Sequence, residues 1–456
     1  MQPTNETYDI VVVGAGTSGS ITARFAAQFG LNVCLIDACE QHQIGNKICG
    51  DAIDPSIFEY LNINMGDEIL SLSPELRLYT PDEKNYLSLD VPMCFVDRVR
   101  FGQKLLKEAI DAGNVQFMDN TRAIDLVYDE NFVTGVQVKR KSEDRRNLKA
   151  KIIIDASGFH SPLRRNIKST YIPKEISKWD STICYREIIK YTKEKTPLPA
   201  YSTLIVDPGQ RTPGGYLWFF PKSDNIVNIG LGTFMQYKGL VKTYFQKYAR
   251  NYLIKNDDIE ILSSAGCVVP LRRPLPSCAD NGIMLVGDAA CHVNPANGGG
   301  IDKGMKAGYY AALVAKDAID AGDCSLNKLW DYNYRIMTDF GAAHASADVM
   351  RLYFQHSSSD DINFIIGKKI LNGNDIADLM HHGLVNLNSV KMIKKFVKGI
   401  SRPKLLLKLN SLSRSMKKIN THYKNYPKSV ELFEKWNQKE IIMFKKIYSQ
   451  FINYTN

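Results

Sequence analysis

The segment Gly14-Ala15-Gly16-Thr17-Ser18-Gly19 places three glycines at the spacing GxGxxG. A turn without side chains lets backbone N–H groups approach an anion closely. Residues 8–13 before it read as a buried parallel strand, and residues 20–29 after it as a helix ending at Gly30. Residues 32–36 form a second strand, closed by Asp37. That order of strand, glycine turn, helix, strand and acid suits a dinucleotide. Its pyrophosphate would lie against Gly14, Ala15, Gly16 and Gly19, and a ribose hydroxyl against Asp37.

Two later segments extend the site and favour FAD over NAD. Residues 151–158 are another apolar strand running into small residues, with Ser161, Leu163 and Arg164 beyond. Residues 282–286 lead into Gly287-Asp288, and Asn297-Gly298-Gly299-Gly300-Ile301 then opens a helix rich in small residues. FAD is longer than one nucleotide turn can hold. A second acid at a strand end, Asp288, suits the ribityl hydroxyls. A glycine-rich helix start at 298–301 suits the flavin pyrimidine, where free N–H groups stabilise negative charge on the reduced ring.

Tyr216, Trp218 and Phe220 alternate, so on a strand they share one face, which is either a core face or the wall of an apolar tunnel. Pro221 ends that strand, and residues 228–232 form the next one. Cys49 follows Lys47 and is expected near a helix start, both of which favour a thiolate; the alternative is a small buried hydrophobe. His160 and His292 lack visible partners and read as structural. No Cys/His spacing suggests a metal site.

The elements that must position these residues occupy a chain of 456 residues, long enough for two or three domains. With 44% hydrophobic and 23% charged residues it belongs among folded proteins. No apolar run is long enough to span a membrane, and residues 1–7 do not look like a secretion signal. Nine cysteines then read as reduced thiols, and the expected location is cytoplasmic. The net charge of +10 is concentrated in residues 391–456, which sum to +13 and leave −3 for the rest. Ile393, Phe396, Val397 and Ile400 share one helical face, and Leu405, Leu409, Leu412, Met416 and Ile419 share another after the break at Arg402-Pro403. Two basic amphipathic helices are expected, packed on the body of the protein and presenting lysines to an anionic membrane. No nucleic-acid-binding fold accompanies this charge, so nucleic acid is not an expected partner.

The opening turn, the segment 155–164 and Gly287-Asp288 resemble the FAD-binding monooxygenase, or hydroxylase-like, superfamily. Lys47-Ile48-Cys49-Gly50-Asp51-Ala52, Tyr216-Leu217-Trp218-Phe219-Phe220-Pro221 and Asn294-Pro295-Ala296-Asn297-Gly298-Gly299-Gly300 resemble the geranylgeranyl reductase family, over the whole chain. The resemblance implies a mixed α/β fold. A Rossmann-like FAD domain over 1–175 and 282–390 would carry an antiparallel β-sheet substrate domain over 176–281 and a basic helical region over 391–456. Part of residues 50–100 would join the substrate domain.

For the site, the resemblance puts Ala15, Asp37 and Ala123 at the adenosine end, and Cys49, Gly50 and Ala52 along the cofactor. Arg98 would meet phosphate, with Arg100 a competitor, and Asp288, Gly300 and Ile301 would approach the ribityl chain and ring. The implied reaction saturates isolated double bonds of geranylgeranyl chains in archaeal-type ether phospholipids. Tyr216, Trp218 and Phe220 would line the substrate tunnel, with Cys49 and Tyr216 as proton donors. No second dinucleotide motif serves a nicotinamide, so the electron donor stays open among ferredoxin, NAD(P)H and reduced deazaflavin. The rivals are a flavin monooxygenase or halogenase on the same fold, since 216–221 also resembles the halogenase tryptophan motif, and a non-catalytic prenyl-lipid carrier.

Overall fold

The computed structural model describes residues 7–141, 143–193, 198–251, 254, 258–384 and 399–451. Ile10, Val11, Val12 and Val13 are apolar on both faces of their strand, and all four are buried. Such a strand needs cover on both sides, which a parallel sheet with helices on its faces supplies. Thr7–Val13 lies between Arg146–Asp155 and Val33–Ile36, parallel to both. Ile283–Leu285 and Val115–Met118 extend the parallel sheet outward on its two sides. Phe132–Arg140 and Thr121–Asp129 add an antiparallel ladder to Arg146–Asp155.

Helix Thr17–Gln28 crosses helix Ile301–Asp320 at very short range. A Cβ on Gly304 would come 2.4 Å from Ser18 Oγ, and one on Gly308 2.5 Å from the Ser18 carbonyl oxygen. The small residues read from the sequence therefore bring the two helix starts side by side.

A seven-stranded sheet stands beside this body. Its order is Ile259–Pro270, Ser181–Tyr191, Ile226–Phe234, Leu217–Pro221, Ser202–Ile205, Leu76–Tyr79 and Tyr86–Leu89. The last two strands come from the chain before residue 100. Ile183, Tyr185, Ile189 and Tyr191 alternate onto one face and pack with Leu217, Ile229, Leu231 and Phe245. The opposite face carries Cys184, Tyr216, Trp218 and Phe220, packed with Phe95, Leu204 and Ile362. A three-stranded sheet, Ala52–Ile53, Met93–Val96 and Ile69–Ser73, adjoins it.

Of the two expected tail helices, the first falls mostly on residues outside those described. Ile400 lies within them and is exposed. The second is helix Pro403–Lys424, which begins with its proline in the first turn, where the missing N–H costs nothing. Leu412, Met416, Ile419 and Tyr423 join the main core. Helix Phe433–Phe451 adds Glu440, which is buried and ion-paired to Arg273. Arg273 also holds Asp348 at 3.1 Å, and Asp348 pairs with Arg351 at 2.6 Å. The C-terminal helices are thus part of the body. No helix among the described residues is long and apolar enough to cross a membrane.

Candidate active site and cofactor cradle

The glycine turn follows Thr7–Val13 directly. Gly14 has φ +104°, and a Cβ there would come 2.5 Å from the Ala156 carbonyl oxygen. Gly19 has even less room, because a Cβ would sit 1.8 Å from the Gly14 carbonyl oxygen. Gly16 is different: a Cβ would meet nothing within 4 Å. It caps helix Thr17–Gln28 without a side-chain cap, and the first turn holds no acid. That helix start presents unpaired N–H groups to open space, which is what a pyrophosphate requires.

Asp37 is fixed by two backbone donors. Ala15 N–H donates to Oδ2 and Cys39 N–H to Oδ1, both at 2.8 Å. The remaining lone pairs suit ribose hydroxyls. Thr121 N–H donates to the Asp37 carbonyl oxygen at 2.7 Å, which draws the strand of Ala123 against this end. The Ala123 side chain is buried in the core.

Arg98 opens helix Arg98–Asp111, and its Nε is buried without a partner. Arg100 is exposed and lies 3.8 Å from Asp97, so the two arginines differ in availability for an anion. Asp288 lies in the short helical turn after Ile283–Leu285. Burial holds its carboxyl above the usual range, with Lys47 and Arg98 pulling the other way. Lys47, Arg98 and Asp288 therefore share one neighbourhood. Gly300 caps helix Ile301–Asp320 without a side chain. The Ile301 side chain packs with Ile21, Ile53 and Phe58. Asp302 and Lys303 pair with each other at 2.8 Å.

The Cys49 loop faces the seven-stranded sheet. A Cβ on Gly50 would come 3.1 Å from the Phe220 ring, and Ala52 packs into the cluster of Phe95, Trp218 and Phe220. The expected thiolate is corrected. No helix starts at Cys49, the nearest being Ser56–Tyr60. Desolvation and the Asp51 carboxylate push the thiol up to about 11, outweighing Arg98. Cys49 carries its proton at neutral pH.

A buried polar network holds this loop. Asp51 has φ +63°, and its Oδ2 accepts from Lys222 Nζ at 2.7 Å. Asn228 Nδ2 donates to Asp51 Oδ2 at 3.1 Å and to the Cys49 carbonyl oxygen at 2.9 Å. Asn228 Oδ1 accepts from Trp218 Nε1 at 2.9 Å. One asparagine thus joins the cysteine loop to the aromatic strand. Tyr216 OH donates to the Asn297 carbonyl oxygen, which ties that strand to the glycine-rich turn. Burial raises the Tyr216 phenol far above its ordinary range. Tyr216, Trp218 and Phe220 share one face, with centroid distances of 6.1 and 6.4 Å.

Asn228 and Lys222 were not singled out as functional in the sequence. Asn228 left a signal, a polar residue amid the apolar alternation of Ile226–Phe234. Lys222 left none. Cys184 and Cys267 also reach the site, as register partners on neighbouring strands. No group of His, Cys, Asp or Glu suited to a metal occurs among the described residues. His292 fits its structural reading: its Nδ1 accepts from Gly287 N–H at 3.1 Å, and burial pulls it down to about 3.

The open helix start at Gly16, the orphan Arg98 Nε, the braced Asp37 and the uncapped Gly300 fit a long dinucleotide with a ring system at its far end. Residues 9–159 match the family model of FAD-dependent oxidoreductases, and residues 180–269 that of the geranylgeranyl reductase catalytic domain. A digeranylgeranylglycerophospholipid reductase of Sulfolobus acidocaldarius is 33% identical over 95% of this chain and 96% of its own length. One of Thermoplasma volcanium is 28% identical over 74% of this chain and 85% of its own. Among solved structures, a geranylgeranyl bacteriochlorophyll reductase-like protein of Thermoplasma acidophilum aligns with a TM-score of 0.76 and 24% identity, covering 89% of this chain and 99% of that one. A flavin-dependent brominase aligns at 0.64 with 18% identity, over 88% of this chain and all of its own, a likeness of fold alone.

Proposed function

The chain belongs to the geranylgeranyl reductase family of FAD-dependent oxidoreductases, and from that membership we propose that it saturates the C=C bonds of geranylgeranyl chains on archaeal-type ether phospholipids. The observation that carries this reading is the single aromatic face of Tyr216, Trp218 and Phe220, joined to the Cys49 loop through Asn228 and to the glycine-rich turn through Tyr216. Bound FAD, once reduced, supplies a hydride equivalent.

The chain's own residues do the rest. An isolated alkene is poorly electrophilic, so its position must be fixed and water kept away. The aromatic face, on which Tyr216 and Cys184 are half-buried, would offer an apolar surface for a prenyl chain. Cys49 Sγ and Tyr216 Oη both hold protons at neutral pH, and we assign them the proton that completes the addition. Gly14, Ala15, Gly16, Gly19, Asp37, Arg98 and Ala123 would hold the nucleotide half of FAD, and Cys49, Gly50, Ala52, Asp288, Gly300 and Ile301 the flavin half.

The protein would work at a membrane surface. Lys404, Lys408, Arg414, Lys417 and Lys418 on helix Pro403–Lys424 are exposed, and Leu407 among them is 68% exposed. A basic helix with an apolar side chain outward suits an anionic headgroup layer. The test is mass spectrometry of a digeranylgeranylglyceryl phospholipid after anaerobic incubation with the FAD-loaded protein and dithionite. The expected result is a gain of one hydrogen molecule per double bond. An unchanged mass with reduced FAD bound refutes the proposal.

A further inference from the structure

Arg186 is a buried cation that no acid neutralises. It is 5% exposed and pairs with no carboxylate among the described residues. Arg211, Arg273 and Arg351 are buried to a similar degree and each is ion-paired, while Arg164, buried without a carboxylate among the described residues, donates to the Lys174 and Phe159 carbonyl oxygens through both Nη atoms. Among the described residues the Arg186 side chain makes one hydrogen bond, from Nη1 to Ser263 Oγ at 2.9 Å, and its Nε is buried without any. A guanidinium taken out of water with donors unspent is costly unless an anion arrives to meet it.

Its place in the sheet says which anion. In strand Ser181–Tyr191 the odd-numbered apolar residues face the helix-covered core. Cys184 and Arg186 therefore share the opposite face, where Cys184 packs with Tyr216, Trp218 and Phe220. Arg186 lies opposite Gly230, and Gly230 lies opposite Trp218. A Cβ on Gly230 would come 2.0 Å from the Trp218 ring, so that ring overlies the glycine on the Arg186 side. On its other side Arg186 borders the edge strand Ile259–Pro270, where Ser263 is exposed. Arg186 thus stands where the aromatic wall meets the open edge of the sheet. Two residues along a strand separate it from Cys184, about 7 Å. In a diprenyl ether of phosphoglycerol, six bonds separate phosphorus from the first alkene carbon of the chain on the central glycerol carbon, also about 7 Å when extended.

We infer that Arg186, with Ser263, forms the subsite for the substrate's phosphate, which sets the first double bond beside Cys184 and the Cys49 loop. The inference rests on the proposed function and adds the headgroup anchor to it. A guanidinium suits phosphate because its planar fork donates two bonds at once.

The test uses probes that cannot be reduced, so it reads binding and not turnover. Saturated phytanyl phosphate and phytanol are titrated into the FAD-loaded full chain and followed by tryptophan fluorescence. The wild type should prefer the phosphate. Arg186→Gln should weaken phytanyl phosphate about tenfold or more and leave phytanol unchanged, with Arg186→Lys between. Equal losses for both probes, or a preference that survives Arg186→Gln, overturns the subsite. Inorganic phosphate binding through Arg186 as tightly as phytanyl phosphate would mark a free-phosphate site and overturn the headgroup assignment. FAD content is checked alongside. If Arg186→Gln loses FAD, Ser263→Ala at the exposed edge replaces it, with a smaller but equally selective loss expected and an unselective or absent loss overturning the subsite. Arg186-dependent preference without any mass gain in the reductase assay would refute the reaction and leave the subsite standing.

Discussion

Lys222→Met tests whether the buried network organises the cysteine loop. Lys222 Nζ lies 2.7 Å from Asp51 Oδ2, with the two side chains 6% and 1% exposed. Methionine keeps most of the volume and removes the charge. Asp51 then stays buried with one side-chain donor on Oδ2, Asn228 Nδ2 at 3.1 Å. Its Oδ1 has no partner in either case. Breaking a buried pair on one side costs about 3–5 kcal/mol. The remaining amide donor argues for the lower end, about 3 kcal/mol. Unfolding entropy of about 2.1 cal/mol/K per residue makes 1 kcal/mol worth about 1 °C in a chain of this length, if it melts as one unit. The expected loss is therefore about 3 °C in the melting temperature of the FAD-loaded protein, followed by flavin fluorescence. Asp51→Asn alone strands the lysine and should also destabilise. The double variant should melt above the sum of the single losses, because neither charge is then left unpaired. Additive losses would refute the pair as a unit, and an unchanged Tm for Lys222→Met would refute the burial argument itself.

Three further expectations concern the cradle, the thiol and the tail. Gly16→Ala should leave the FAD-free protein as stable as wild type and weaken FAD binding measurably by flavin fluorescence titration, since its Cβ meets only open space. Gly14→Ala, strained at φ +104°, should lower both stability and FAD binding; equal behaviour of the two variants would contradict the cradle. At pH 8 a thiol near 11 is only about one part in a thousand ionised, so iodoacetamide should label Cys49 far more slowly than exposed Cys39, and the rate should climb steadily through pH 9 and 10 as the thiolate appears. Rapid labelling below pH 8 would restore the thiolate expectation. Replacing Lys404, Lys408, Lys417 and Lys418 by glutamine should weaken co-sedimentation with anionic vesicles while preserving the melt, because these lysines are exposed and the helix's other face carries the packing. Unchanged sedimentation would reject the membrane role for this helix. Deleting the whole tail is a poor version of that test, since Met416, Ile419 and Tyr423 belong to the main core.

The glycine turn, Asp37, the strand of Tyr216, Trp218 and Phe220 and the second tail helix were legible from the sequence, because each rests on short-range rules. A glycine-rich turn between a strand and a helix leaves backbone N–H groups open to an anion, a strand alternates every two residues, and a helix repeats every three to four. What tertiary structure decided joins residues far apart in the chain. Lys222 meets Asp51 across 171 positions and Asn228 reaches the Cys49 carbonyl across 179, through pairings that no local pattern encodes. Arg186 reads as an ordinary strand arginine until the register sets it beside Gly230 and the alternation turns it toward Cys184 and the aromatic face. The protonation of Cys49 reversed for the same reason. Lys47 is its neighbour in sequence, but desolvation and the folded position of Asp51 set the thiol's charge. Short-range periodicity is written into the chain; dielectric surroundings and long-range partners exist only once it has folded.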